Sequence, residues 1–242
     1  MSMAFPFLNK IRHPAKKLRL LLIAIGILSG ALLLLLLPHA RPTGRDQATL
    51  PAGIEVNDYQ GENLSSVADF RENSIKGPQN VDLDTYRLSV TGLVRTPLEL
   101  SYDEVVRANA SYKKVVTLNC VEGWSVKILW EGIKVSDLLA QAGVLPEAKI
   151  AIFRAVDGYS TAFPIDYLTD RGIILAYKMN GAVLLPERGF PFQLVAEDKW
   201  GYKWIKWITE IELSADTDYR GYWESRGYSK DGDLNGSFFE AR

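Results

Sequence analysis

The chain has 242 residues, 47% of them hydrophobic and 24% charged, with a formal net charge of -1. It holds two histidines, His13 and His39, and a single cysteine, Cys120. Beyond residue 40 there is thus no imidazole for a Ser-His-Asp, Cys-His, zinc or haem site, and one thiol cannot build a cysteine-only metal site.

Residues 1–19 contain Lys10, Arg12, Lys16, Lys17 and Arg19 and no acidic residue, and read as a basic cytoplasmic segment. Residues 20–37 form an uncharged apolar run of the length that crosses a bilayer as a helix. The basic flank predicts an inward N-terminus and a domain on the extracytoplasmic side of the cell membrane. A cleaved signal peptide is the competing reading. The run is long for such a peptide, and Leu-Pro-His-Ala-Arg-Pro after it is a poor cleavage context, so an uncleaved single-pass anchor is expected. Residues 38–60, with Pro38, Pro42, Pro51, Gly44 and Gly53, predict an extended linker. Residues 61–242 are then the folded domain. Outside the basic segment, 23 basic face 29 acidic side chains, which argues against nucleic acid as a partner. No GxGxxG or GxxxxGK[ST] loop is present for a nucleotide.

Residues 61–80 lack periodicity and read as a surface loop around Phe70. Residues 86–94 alternate like a half-buried strand. Ser101-Tyr-Asp-Glu104 is a capping box that opens a short helix to about Ala108. Residues 115–120 are β-branched and apolar, a strand that carries Cys120 to its end, and Glu122-Gly123-Trp124 marks a tight turn. Alternation puts Val116, Leu118 and Cys120 on one face and Val115, Thr117 and Asn119 on the other. Residues 130–133 read as a turn. Ser136 is expected to cap a helix over residues 137–142, which Gly143 ends. Residues 149–156 predict a strand closed by Asp157-Gly158-Tyr159, and residues 164–169 a short helix. Residues 173–179 and 182–185 flank Asn180-Gly181, a two-residue hairpin turn. Residues 192–196 and 205–213 predict the last strands. The tail from Asp216 holds Tyr219, Tyr222, Trp223, Tyr228, Phe238 and Phe239, too many aromatics for a free tail, so it should pack on the domain. The whole reads as α+β, strand-rich with few short helices.

Several stretches lie in order along residues 65–230: Phe70-Arg-Glu-Asn-Ser74, the 86–94 strand with Pro97, and Cys120-Val-Glu-Gly-Trp-Ser125. Gly189-Phe-Pro-Phe-Gln-Leu194, Trp200-Gly-Tyr-Lys-Trp-Ile-Lys-Trp-Ile208, and Gly221-Tyr-Trp-Glu224 with Gly227-Tyr228 complete the set. Together they resemble the sulfite oxidase-fold molybdopterin-dependent oxidoreductases. The resemblance implies that fold and one molybdenum-molybdopterin cofactor per chain. It also implies that Cys120 is catalytic, as the thiolate ligand of molybdenum. A soft thiolate suits such a centre, and the pterin dithiolene would supply the other sulfurs. Cofactor contacts are implied for Phe70, Arg71, Glu72 and Asn73, for Arg188, and for Lys203, Trp204, Ile205 and Lys206. Trp124, Asp157 and Tyr159, next to predicted strand ends, are candidate pocket residues. The implied reaction is two-electron oxygen-atom transfer on a small or sulfoxide-type substrate. No Cys-x-x-Cys-His is present to attach a haem, so electrons would be exchanged with a separate partner at the membrane.

The chain departs from the family pattern in three places. Gln193 stands where many members have an arginine, and it cannot replace a bidentate cation. With Glu197 and Asp198 expected near the site, sulfite is a poor substrate. Ser74 stands near the position of the pterin-loop histidine of sulfite oxidases, and the N-terminal region carries no twin-arginine pair. The reading from another class is a cofactor-free, membrane-tethered binding domain that keeps the fold. A thiol-redox protein fits poorly, because Cys120 has no partner cysteine.

Overall fold

A computed structural model describes residues 53–240. In chain order the strands are β1 (Asp58–Tyr59), β2 (Glu62–Asn63), β3 (Leu88–Gly92), β4 (Leu98–Leu100), β5 (Tyr112–Asn119), β6 (Ser125–Lys134), β7 (Ile150–Ala155), β8 (Ser160–Pro164), β9 (Ile174–Met179), β10 (Ala182–Val183), β11 (Gln193–Leu194) and β12 (Ile208–Ser214). The helices are α1 (Tyr102–Ala108), α2 (Val135–Ala142) and α3 (Ile165–Asp170). One sheet has the order β10-β9-β6-β5, with β11 also paired to β9, and is antiparallel throughout. The other has the order β4-β3-β12-β7-β8, in which β3 and β12 pair in parallel. The α+β, strand-rich expectation holds.

Local chemistry explains the elements that place the site. On β5, Val116, Leu118 and the following Cys120 are buried while Val115, Thr117 and Asn119 are half-buried, as alternation predicts. Asn180 and Gly181 take φ values of +45° and +84°, the left-handed pair that a two-residue hairpin needs. The Asn180 side chain is fully buried. It accepts from Leu129 N at 3.0 Å and donates to Glu55 Oε1 at 3.0 Å and Ser65 O at 2.9 Å. The α1 capping box is closed in both directions, Glu104 N to Ser101 Oγ at 3.3 Å and Ser101 N to Glu104 Oε2 at 2.8 Å.

Several expectations need correction. The linker stops earlier than residue 60: Val56 N donates to Asn180 O at 2.9 Å and the Glu55 carboxylate takes Val67 N at 2.5 Å, so these residues belong to the domain. Residues 130–133 are not a turn. They lie inside β6, whose register against β9 shifts between Glu131 and Gly132. Ser136 lies within α2, which starts at Val135 without a side-chain cap; Gly143 ends it as expected, at φ +69°. The last strand begins at Ile208 and not at residue 205, because Trp207 just before it takes a left-handed φ of +54° that breaks extended backbone. The tail does pack: Trp200 meets Phe238 at 5.7 Å and Tyr202 meets Tyr228 at 5.0 Å between ring centroids. The expected basic segment and anchor, residues 1–37, lie outside the described residues. Among the described residues no helix is long and apolar enough to cross a membrane.

Candidate active site

Cys120 directly follows β5 and opens the turn into β6. Its carbonyl accepts from Gly123 N at 3.1 Å and its own N–H donates to Trp124 O at 2.9 Å. Gly123 has φ +84°, a conformation glycine adopts without steric cost. The Cys120 side is packed from behind by Gly201, where an added Cβ would lie 3.2 Å from Asn119 O and 3.3 Å from Cys120 Cα. Burial pushes the thiol pKa up, against an opposing hydrogen bond from the Glu122 backbone.

The thiol lines a cavity of about 450 Å³. Loops from both sheets converge on it. Phe70, Arg71, Asn73, Ser74 and Ile75 come from the loop before β3. That loop is tied to the cysteine turn: Asn73 Nδ2 donates to Glu122 Oε1 at 3.0 Å, and the Phe70 ring meets Trp124 edge-on at 6.0 Å. Asp157 and Tyr159 come from the β7–β8 turn, where Asp157 Oδ1 accepts from Tyr159 N at 2.9 Å. Glu187, Arg188 and Gln193 come from the segment around β11. Arg188 Nη2 donates to Phe70 O at 3.1 Å, and its guanidinium lies 5.0 Å from the Phe70 ring centroid. The segment Gly201 to Trp207 supplies a further wall. Trp207 has φ +54°, a conformation that costs a bulky residue about 1–3 kcal/mol, and its Nε1 donates to Pro186 O at 2.6 Å.

Of the residues singled out by sequence, Phe70, Arg71, Asn73, Cys120, Arg188, Trp204, Ile205 and Lys206 line this cavity, together with Trp124, Asp157 and Tyr159. Glu72 does not; its carboxylate meets Lys206 Nζ at 3.2 Å. Lys203 also faces away. Its ammonium donates to Glu224 Oε1 at 2.7 Å, Ala162 O at 2.9 Å and Lys230 O at 2.9 Å, so all three N–H bonds are used. Glu197 and Asp198, expected near the site, pair with Lys114 and Arg171 and do not line the cavity. Sequence reading missed Tyr222, Trp223 and Tyr228 as cavity residues. Their signal was the aromatic density of the tail, which foretold packing but not its location.

Burial lowers the pKa of both Arg188 and Lys206; the carboxylates of Glu187 and Glu72 oppose it at Arg188, and Glu72 opposes it at Lys206. Arg188 Nε, Ser74 Oγ and Glu187 Oε1 are buried in the cavity wall without a hydrogen-bond partner. Buried donors and acceptors are normally satisfied, so these atoms fit a polar ligand. Among the described residues no group of three His, Cys, Asp or Glu could hold a metal ion. A metal beside Cys120 would therefore take its other ligands from a cofactor. One soft thiolate, buried cations and unsatisfied donors match a metal-bearing pterin with a phosphate.

Residues 75–223 match the family model described as the oxidoreductase molybdopterin binding domain. The "Uncharacterized oxidoreductase YuiH" of Bacillus subtilis is 35% identical over 157 residues, which span 64% of this chain and 78% of that relative. The "Protein-methionine-sulfoxide reductase catalytic subunit MsrP" of Gluconobacter oxydans is 31% identical over 53% of this chain, and the match spans about half, 46%, of that relative. Among solved structures, the sulfane dehydrogenase SoxCD from Paracoccus pantotrophus shares the fold, with TM-score 0.59 and 24% identity over 66% of this chain and 44% of that one. Fold, cavity and relatives agree that this chain belongs to the molybdopterin-binding oxidoreductases of the sulfite oxidase family.

Proposed function

We propose that this oxidoreductase removes the oxygen atom from a sulfoxide-type substrate, taking two electrons from a separate partner while anchored to the outer face of the cell membrane. The observation that carries the reading is one lone thiol, Cys120, on a cavity whose wall keeps Arg188 Nε and Ser74 Oγ buried and unpaired. The sulfoxide class comes from the reductase relative, and the anchor from the apolar run of residues 20–37. When bound, the cofactor supplies a metal centre that exchanges two electrons and one oxygen atom with substrate. The balance is R2SO + 2e⁻ + 2H⁺ → R2S + H2O.

The chain's own residues hold and shape. Cys120 would ligate molybdenum, on a turn that Asn73 and Trp124 fix through the Glu122 carboxylate. Arg71, Arg188, Lys206 and Ser74 would hold the phosphate and the pterin acceptors. Tyr159, Tyr222, Trp223 and Tyr228 would face the substrate, displacing water and offering rings to a polarisable sulfur. Gln193 brings no charge to the cavity where many family members have an arginine, so an oxyanion substrate gains no bidentate contact at that position.

Full-length protein from a host that makes the cofactor tests this. Elemental mass spectrometry should find about one molybdenum per chain, and reduced viologen should drive reduction of methyl phenyl sulfoxide. A folded, metal-free protein from the same host would instead favour the tethered binding domain. Arg188→Gln should weaken cofactor affinity about tenfold, as losing a charge-assisted hydrogen bond of about 1.5 kcal/mol implies, and so lower the molybdenum content of the purified protein. Unchanged metal loading in that variant would remove Arg188 from the cofactor's binding set.

A further inference from the structure

One wall of the cavity is not built by either sheet. Tyr222, Trp223 and Tyr228 come from the C-terminal segment, whose regular structure at that point is a single 3-10 turn, Glu224–Arg226. Its backbone meets the rest of the domain at separate points, Tyr222 N to Ser160 O, Trp200 N to Gly232 O and Leu234 N to Asp198 O, and between them side chains share in setting its position. The most buried ion pair among the described residues is one of these contacts, and it lies outside the cavity. Lys203 and Glu224 are 1% and 2% exposed and meet at 2.7 Å.

The connections of this pair join three parts of the molecule. Lys203 follows Tyr202 and precedes Trp204, Ile205 and Lys206, four residues of the cavity wall. Its ammonium reaches the C-terminal segment twice, at Glu224 Oε1 and Lys230 O, and β8 once, at Ala162 O. Glu224 Oε1 also accepts from Thr161 Oγ1 at 2.6 Å, again on β8. Beside the pair, Tyr222 N donates to Ser160 O at 2.9 Å. Gly221 permits this approach: a Cβ there would lie 2.2 Å from Ser160 O and 2.7 Å from Glu224 Oε2. An apolar contact could slide along a strand. A buried ammonium with three fixed acceptors cannot move without losing a bond at each.

We propose that Lys203 and Glu224 are positioning residues, whose buried ion pair locks the aromatic C-terminal segment as the substrate-facing wall and so sets which sulfoxides the site accepts. The substrate half of this statement rests on the oxygen-transfer reading above; the wall itself does not. Burial pushes the Lys203 pKa down and the Glu224 carboxylate opposes it; both side chains are buried at 2.7 Å, so removing one partner strands the other.

The test uses full-length holoprotein with E224Q, which keeps the side-chain shape, and with the apolar double variant K203M/E224L. Four quantities are read: molybdenum per chain, melting temperature, the rate of tryptic cleavage after Arg226 and Lys230, and KM against kcat for dimethyl sulfoxide and methyl phenyl sulfoxide. Both variants should keep molybdenum within about twofold. Cleavage in the segment should quicken about tenfold, as a locally loosened segment opens more often. KM for methyl phenyl sulfoxide should rise about tenfold with kcat changed less than about threefold, and dimethyl sulfoxide should be little affected. The double variant leaves no buried charge unpaired; the Ala162 and Lys230 carbonyls and the Thr161 hydroxyl lose their partner in it, so its melting temperature is read beside cleavage and KM to separate positioning from stability. Wild-type cleavage and KM in K203M/E224L would show that the pair supplies stability alone, and would overturn the proposal. Faster cleavage without a KM change would overturn the wall's role in substrate choice. If E224Q does not fold, the double variant decides by itself. If the wild type loaded with molybdenum reduces neither sulfoxide, the function proposed above fails, while cleavage and metal content still judge the lock.

Discussion

Cys120→Ser should abolish turnover and leave the fold nearly intact. With the wild type driven by reduced viologen, the variant's rate should fall by at least about 10³-fold, more than about 4 kcal/mol of barrier. Nothing else in the domain can take over: the chain has no second cysteine, and both histidines lie before residue 40. A serine oxygen is a harder and far more basic ligand than a thiolate, so it serves a soft metal poorly. The structural cost is small by comparison. Serine differs by one atom, keeps both backbone hydrogen bonds of the turn, and adds a hydroxyl to a site that is 7% exposed. That costs about 1 kcal/mol, or roughly 2–4 °C in melting temperature. The pair of readouts matters more than either alone. Turnover within tenfold of wild type would show that the thiol is not the metal's ligand. A collapse of the melting temperature would show that Cys120 is a core residue first.

What could be read from sequence divides along physical lines. The cysteine turn was legible because its signals are local: strand alternation in residues 115–120, then a glycine where the chain must reverse. The Asn180-Gly181 hairpin was legible for the same reason. Side-chain direction outside regular structure was not. Lys203 and Lys206 look alike in the run from Trp200 to Ile208, yet a 3-10 turn at Gly201–Lys203 and the left-handed Trp207 remove any fixed period. One lysine therefore lines the cavity and the other is buried against Glu224. Glu197 and Asp198 were misplaced for a related reason. Asp198 itself has φ +63°, so the chain bends there and carries both carboxylates out to Lys114 and Arg171. The tail showed its need for burial through composition, but which surface receives it depends on contacts 20 and more residues away in sequence, such as Lys203 with Glu224 and Tyr222 with Ser160.

Gly132 shows how a correct local signal can be given the wrong meaning, and it carries the largest expected effect on stability. A glycine between Glu131 and Ile133 reads as a turn. In the structure it is a close approach inside a ten-residue strand. A Cβ at this position would lie 2.1 Å from Leu175 O, 2.6 Å from Leu175 C and 2.7 Å from Ala176 Cα. All three are backbone atoms of β9, so no side chain can swing aside, and the sheet itself must shift. Gly132→Ala should cost about 3 kcal/mol or more, the range of severe overpacking, and lower the melting temperature by roughly 6–12 °C. The damage should not stay local. Ala176 pairs with Gly132 on one side and with Gln193 on the other, and Gln193 lines the cavity. A displacement of β9 thus reaches the active site through one row of the sheet, and molybdenum content should fall along with stability. A melting temperature within about 3 °C of wild type would falsify the close approach and return residues 130–133 to a more pliable conformation.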